Sequence, residues 1–162
     1  MTDQKTEDTL IKDLFYECRT KKCKIITVES CTGGLISSCI TSRSGSSEFF
    51  DRGYVTYSNE SKEELVGVES STLARFGAVS SETVTQMAIN AVSKSNRVSV
   101  AVTGVAGPNN SERKPVGLVW IASYKYDNLI VKKLTLGVKT RSAIRQVTAY
   151  EALKLLLTNL RH

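Results

Sequence analysis

From Thr27 to Gly34 the chain reads Thr27-Val28-Glu29-Ser30-Cys31-Thr32-Gly33-Gly34, and from Glu29 onward it gathers a carboxylate, two hydroxyls, a thiol and two glycines into one short stretch. A β-type run, Lys24 to Val28, ends there, and an amphipathic run, Leu35 to Ile40, begins. Ser30 thus follows a strand and precedes a helix, as the nucleophile of a strand-turn-helix elbow does, although the G-x-S-x-G pattern itself is absent. Free N–H groups around Thr32 to Gly34 could then hold an oxyanion, and glycines let a substrate approach the backbone. The alternative is structural: Ser30 or Thr32 caps the second helix and Gly33-Gly34 eases a tight turn. Local physics leaves both open.

A hydroxyl nucleophile needs a base. The one histidine, His162, is the final residue of the sequence, so a Ser-His-Asp triad, a Cys-His pair and a histidine metal site are disfavoured. The Ser-Lys form of the same logic needs a lysine desolvated enough to lose its proton. Lys62, at the start of a helix just past the second strand, is the candidate, and the positive helix end would lower its pKa. Equally, it could be a solvated helix residue. Cys31 is a rival nucleophile with no histidine partner and fits a small buried hydrophobe better.

Other signals are weaker. Gly104-Val105-Ala106-Gly107-Pro108 lacks the GK[ST] of a P-loop and the full Rossmann fingerprint, so a ligand loop and a plain turn are both open. Arg141 and Arg145 share one face of the last helix and could clamp a phosphate or carboxylate, or form a solvated basic face. The candidate substrate contacts are therefore Glu29, Cys31, Thr32, Gly33, Gly34, Thr103, Gly104, Gly107, Arg141 and Arg145.

These residues must be positioned by ordered elements. Helical periodicity covers Asp8 to Lys21, the run from Leu35, Lys62 to Val66, a longer segment from Ser80 with Val84, Met87, Ala88, Ala91 and Val92, and Thr140 to Leu160. Strands are expected at Lys24 to Val28, Phe49 to Tyr57, Val98 to Thr103, Val116 to Tyr124 and Leu129 to Leu136, the last two as an antiparallel hairpin. The order α, β, α, β, α, α, β, β, β, α predicts an α/β fold: a mixed, mostly parallel sheet of about five strands with helices on both faces. Three candidate segments, Glu29 to Gly34, Tyr57 to Lys62 and Gly104 to Pro108, lie at carboxyl ends of strands, where such sheets collect ligands.

Composition narrows the class. With 162 residues, 41% hydrophobic and 23% charged, the chain reads as one ordinary globular domain over 1–162 with a flexible N-terminus over 1–7. Met1 to Thr9 does not resemble a signal peptide and no apolar run approaches a membrane span, so a cytoplasmic protein without a membrane partner is expected. Cys18, Cys23, Cys31 and Cys39 have neither CxxC spacing nor nearby histidines, which predicts free thiols rather than a zinc site or a disulfide framework. The net charge of +6 suits an anionic ligand, but the basic residues are dispersed, which argues against nucleic-acid binding.

Several motifs together resemble a known family. Glu29-Ser30-Cys31-Thr32-Gly33-Gly34, the stretch from Gly53 to Lys62, Gly77-Ala78-Val79-Ser80, Gly104-Val105-Ala106-Gly107-Pro108 and Lys114-Pro115-Val116-Gly117 resemble the CinA C-terminal domain family, over about Leu10 to Leu160. The resemblance implies a three-layer α/β/α sandwich, commonly a homodimer. It also implies deamidation of nicotinamide mononucleotide to the nicotinate nucleotide and ammonia, in pyridine nucleotide salvage, with no metal or other cofactor. By matching position, Ser30 would be the nucleophile, Lys62 and Tyr57 its activating partners, and Arg145 a contact to the nucleotide phosphate. Glu29 would be a charge partner for Lys62 or a supporting hydrogen-bond acceptor. Two departures touch ligand-contacting segments: Asn109-Asn110 stands where the family has an Asp-Gly-Gly type loop, and Lys139-Thr140-Arg141 replaces a Gly-Asp-Arg pattern. The alternative to the enzyme is a catalytically silent ligand-binding or interaction module of the same fold, linked to competence or DNA damage.

Overall fold

The computed structural model describes residues 4–137 and 139–162. Helix α1 spans Gln4–Thr20, so it begins inside the stretch expected to be flexible, of which residues 1–3 lie outside the described residues. Strand β1 (Lys24–Glu29) and helix α2 (Leu35–Thr41) follow, then β2 (Phe50–Val55), α3 (Asn59–Val66), α4 (Ser70–Phe76) and α5 (Ser81–Asn90). Strands β3 (Arg97–Gly104), β4 (Leu118–Lys125) and β5 (Asn128–Thr135) complete the sheet, and α6 (Arg141–Arg161) closes the fold.

The strands lie in the order β2-β1-β3-β4-β5. β1 runs parallel to both neighbours, β2 and β3, while β4 is antiparallel to β3 and to β5. Four strands thus share a direction and β4 alone is reversed, the mixed sheet expected from the sequence. The hairpin turn is tighter than expected: Tyr126 and Asp127, at φ 48° and 63°, form a two-residue connection.

Alternation along the strands builds two cores. Ile25, Val98, Val100, Val102, Val119 and Ile121 face α1, α2 and α6, whereas Ile26, Val28, Ala101 and Ala122 face α3, α4 and α5. Helices on both faces make the three layers. Helix α4 carries no periodic apolar stripe: its Ser-Ser-Thr-Leu-Ala-Arg-Phe run buries only Thr72 and Leu73 and begins without a side-chain cap, so the sequence pattern does not reveal it. All four cysteines are free, three of them buried. Among the described residues, no helix is long and apolar enough to cross a membrane.

Candidate active site

The site is assembled where β1 and β2 end. Ser30 N donates to Val102 O at 3.1 Å and Thr56 N to Glu29 O at 2.8 Å, which extends both parallel ladders one residue beyond the strands. Ser30 and Thr56 therefore emerge side by side. Next, α3 reverses the chain: Ser58 and Ser61 form a reciprocal capping box, and Gly67 ends the helix at φ 60°. Helical side chains lean toward the helix N-terminus, so Lys62, in the first turn, points back at the strand ends.

Its amine is almost sealed, with Lys62 1% exposed. Nζ donates to Thr56 O at 2.8 Å, Tyr57 O at 3.4 Å and Ser58 O at 3.4 Å, and lies 3.3 Å from Ser30 Oγ. No carboxylate of a described residue pairs with it. Burial lowers its pKa to about 8, against opposing influence from Cys31 and Glu112. Desolvation is the cause. For Cys31 the same burial acts the other way and pushes the thiol up to about 12.

Glu29 lies on the other side of the turn and has no contact with Lys62. Its carboxylate is fully buried and accepts from Thr32 Oγ1 at 2.7 Å, Gly34 N at 3.0 Å, Ile36 N at 3.0 Å, Ser37 N at 2.8 Å and Ser37 Oγ at 2.7 Å. Of the two places the sequence left for it, acceptor is the one it occupies, at the start of α2. Two of the expected oxyanion donors are taken, Gly34 N by Glu29 and Gly33 N by Ser30 O at 3.0 Å, while Thr32 N has no partner among the described residues. The helix N-terminus already holds a negative group. Gly33 and Gly34, at φ 59° and 98°, supply the left-handed turn that brings the chain over this carboxylate.

A cleft of about 320 Å³ opens in front of Ser30 and Lys62, walled by Tyr57, Ala78, Val79, the Thr103-to-Gly107 run and Arg141. Thr103 Oγ1 donates to Ala78 O at 2.8 Å, tying two walls together. Gly104 is required by packing, since a Cβ there would lie 2.7 Å from the Val119 side chain and 2.9 Å from Leu118 O. The N–H groups of Ala106 and Gly107 have no partner among the described residues. Arg141 donates to Gly107 O at 2.7 Å and to the Tyr57 hydroxyl at 2.8 Å. The Tyr57 phenol is therefore directed at Arg141, and only its carbonyl meets Lys62.

Arg145 is placed differently: Nη2 donates to Thr32 O at 2.8 Å, and the side chain braces the turn beside Gly33. It is not among the residues lining the cleft, whereas Arg141 is. At the two departures from the family pattern, Thr140 caps α6 by accepting from Ala143 N, and Asn110 Oδ1 accepts from Val116 N. Sequence reasoning missed Glu112, a wall residue whose carboxylate accepts from Ala78 N at 3.0 Å and Val79 N at 3.4 Å while Lys114 Nζ donates to Phe76 O at 2.7 Å. Only the neighbouring Lys114-Pro115 motif marked that loop.

Among the described residues, no cluster of His, Cys, Asp and Glu could hold a metal ion. The arrangement is that of an α/β protein with a small-molecule cleft at the carboxyl ends of its parallel strands. The model of the CinA C-terminal domain matches residues 7–160, and the chain belongs to that family. The nicotinamide-nucleotide amidohydrolase PncC of Escherichia coli (strain K12) is 44% identical over 131 residues, 78% of each chain. A CinA-like protein of Colwellia psychrerythraea is 44% identical over 133 residues, 81% of this chain but 31% of the relative, so the chain spans about a third of that protein. The crystal structure of competence/damage inducible protein CihA from Agrobacterium tumefaciens matches with a TM-score of 0.89 at 38% identity, over 96% of both chains.

Proposed function

We propose that this chain is an amidohydrolase that deamidates nicotinamide mononucleotide by way of a Ser30 acyl-enzyme. The observation that carries the reading is the buried Lys62 amine, 3.3 Å from Ser30 Oγ and lowered to about 8. Its E. coli relative is named for action on a nicotinamide nucleotide.

In the first step Ser30 Oγ bonds to the carboxamide carbon while its proton passes to neutral Lys62. The unpartnered N–H groups of Ala106 and Gly107 are donors available to the oxyanion on the cleft wall. Collapse of the tetrahedral species breaks the C–N bond, and Lys62 returns the proton to the departing ammonia. Water then adds to the acyl-enzyme, Lys62 takes a proton from it, and Ser30 leaves with that proton as the nicotinate nucleotide is released. Arg141, with N–H groups to spare and a place on the cleft wall, meets the anionic end of the substrate. Tyr57 holds Arg141, and Arg145 keeps the Ser30 turn in place. The reaction needs no cofactor, and the protein acts in the cytoplasm, in pyridine nucleotide salvage.

Incubation of the purified protein with nicotinamide mononucleotide should release ammonia and nicotinate mononucleotide in equal amounts; absence of both would end the proposal and favour a silent module of the same fold. The pH dependence is a second check. Only neutral Lys62 can accept the Ser30 proton, and at a pKa of about 8 roughly a tenth of it is neutral at pH 7. Consequently kcat/KM should climb about tenfold per pH unit below 8 and level off above it. A flat profile from pH 6 to 9 would exclude Lys62 as the base.

The two arginines should separate kinetically. Arg141→Ala is expected to raise KM about tenfold with kcat little changed, the loss of a charged ground-state contact. Arg145→Ala, which frees the turn carrying Ser30, is expected to lower kcat more than it raises KM. Steady-state kinetics on both variants checks the assignment, and the opposite split would exchange their roles.

A further inference from the structure

A second cleft, of about 570 Å³, lies at the other end of the sheet, bordered by Lys21, Lys125, Tyr126, Asn128, Ile130 and His162. Register places it there: Gly104, at the active-site end of β3, pairs with Val119 near the start of β4, so Lys125 at the end of β4 lies at the far edge.

Lys125 is a buried lysine that forms no salt bridge among the described residues. It is 4% exposed, its Nζ donates to Leu160 O at 3.3 Å, and it rests 5.3 Å from the centre of the Tyr126 ring. Lys21 borders the same cleft, and burial followed by the Lys21 charge lowers the Lys125 pKa, against opposing pull from Cys23 and Glu17. Two ammonium groups on one cleft repel each other unless something negative lies between them. The nearby carboxylates are engaged elsewhere, although the Glu17 charge still favours charged Lys125. Glu17 binds Arg161 at 3.2 Å, and Asp127 accepts from the Tyr124 hydroxyl at 2.9 Å. Among the described residues, neither lysine is in a salt bridge.

The loops that carry this pair are themselves conformationally demanding. Lys22, next to Lys21, has φ 51°, and Tyr126 and Asp127, next to Lys125, have φ 48° and 63°. Non-glycine residues adopt such angles at a cost and only where the surroundings enforce it. The thiol of Cys23 is close by: Cys18 through a hydrogen bond, then Lys125 and Lys21 through their charges, favour its thiolate against burial.

From the cleft, the converging lysines and the diverted acids, we infer that this end of the sheet is a binding site for a phosphate-bearing small molecule, separate from the Ser30 cleft. The anion bridges Lys21 and Lys125, and the Tyr126 ring forms one wall for the rest of the ligand.

Inorganic pyrophosphate is a suitable probe, titrated at low ionic strength and followed by the amide signals of Tyr126 and Asn128 and by calorimetry. The expected result is saturable shifts at these residues. Lys125→Met should weaken binding about tenfold or more and Lys21→Gln several-fold, while Arg141→Ala leaves the site unchanged. Lys125→Met should fold, because an unpaired buried charge is replaced by an apolar side chain of similar length; Lys21→Gln alters a half-buried side chain and tests the site independently. No shift at Tyr126 and Asn128, shifts confined to the Ser30 cleft, or affinity indifferent to both substitutions would each overturn the inference.

Discussion

Replacing Ser30 by alanine should lower the rate of ammonia release from nicotinamide mononucleotide by roughly four powers of ten or more, and Lys62→Met should do the same. Members of a nucleophile-base unit act together, so removing either costs about as much as removing both. The double variant should accordingly be scarcely slower than either single one. Single-turnover assays with product analysis can resolve residual rates of that size. Retention of even a tenth of the activity by Ser30→Ala would exclude an acyl-enzyme at this position. Cys31 could not take over: it is buried, and its thiol is pushed up to about 12, so almost none of it is thiolate at neutral pH.

Lys62→Met carries an internal control. The amine is desolvated, with carbonyl oxygens but no carboxylate within pairing distance. Exchange for an apolar side chain of similar length should leave the fold intact or make it more stable. Lost activity with an unchanged or higher melting temperature would show that the lysine serves the chemistry rather than the architecture.

The opposite pattern is expected at Glu29. Glu29→Ala should destabilise the protein by about 3 kcal/mol or more, because three backbone N–H groups and two hydroxyls lose their acceptor inside the fold. That is a large share of the roughly 5–15 kcal/mol by which a domain is stable. Glu29→Gln should be milder, at about 1–2 kcal/mol. An amide can keep one oxygen on Gly34 N and Ile36 N, but its NH2 group then faces Ser37 N. Urea unfolding at constant m-value provides the measurement. A stability loss below about 1 kcal/mol for the alanine variant would mean that water or a rearranged turn supplies the missing acceptors.

These expectations draw on unequal parts of the sequence. The alternation in β1, with Ile25 facing one core and Ile26 and Val28 the other, and the capping box before Lys62 are local patterns, legible from neighbouring residues. So is the tight turn at Gly33-Gly34. Helix α4 was not legible, because two buried residues do not make a periodic stripe.

The site was legible in its residues more than in its wiring. Ser30 and Lys62 were candidates from residue type and position alone, since without a usable histidine a serine needs a lysine. What Glu29 does was open until folding brought α2 over its carboxylate. Arg141 and Arg145, equivalent on a helical face, were separated only by what each meets, Gly107 and Tyr57 in one case and Thr32 in the other.

By itself, then, the sequence determined the order of elements apart from α4, the mixed sheet, the strand-end location of the reactive residues and the resemblance to one family. Each depends on periodicity, turn chemistry or short motifs, whose physics is contained within a few neighbouring residues. Tertiary structure alone decided that Lys62 would be desolvated beside Ser30, that Glu29 would fill the helix end, that Glu112 would join the cleft wall, and that Lys21 and Lys125 would border one cleft. Burial and charge pairing depend on which distant segments meet, and that is settled only when the sheet closes and both helical layers pack upon it.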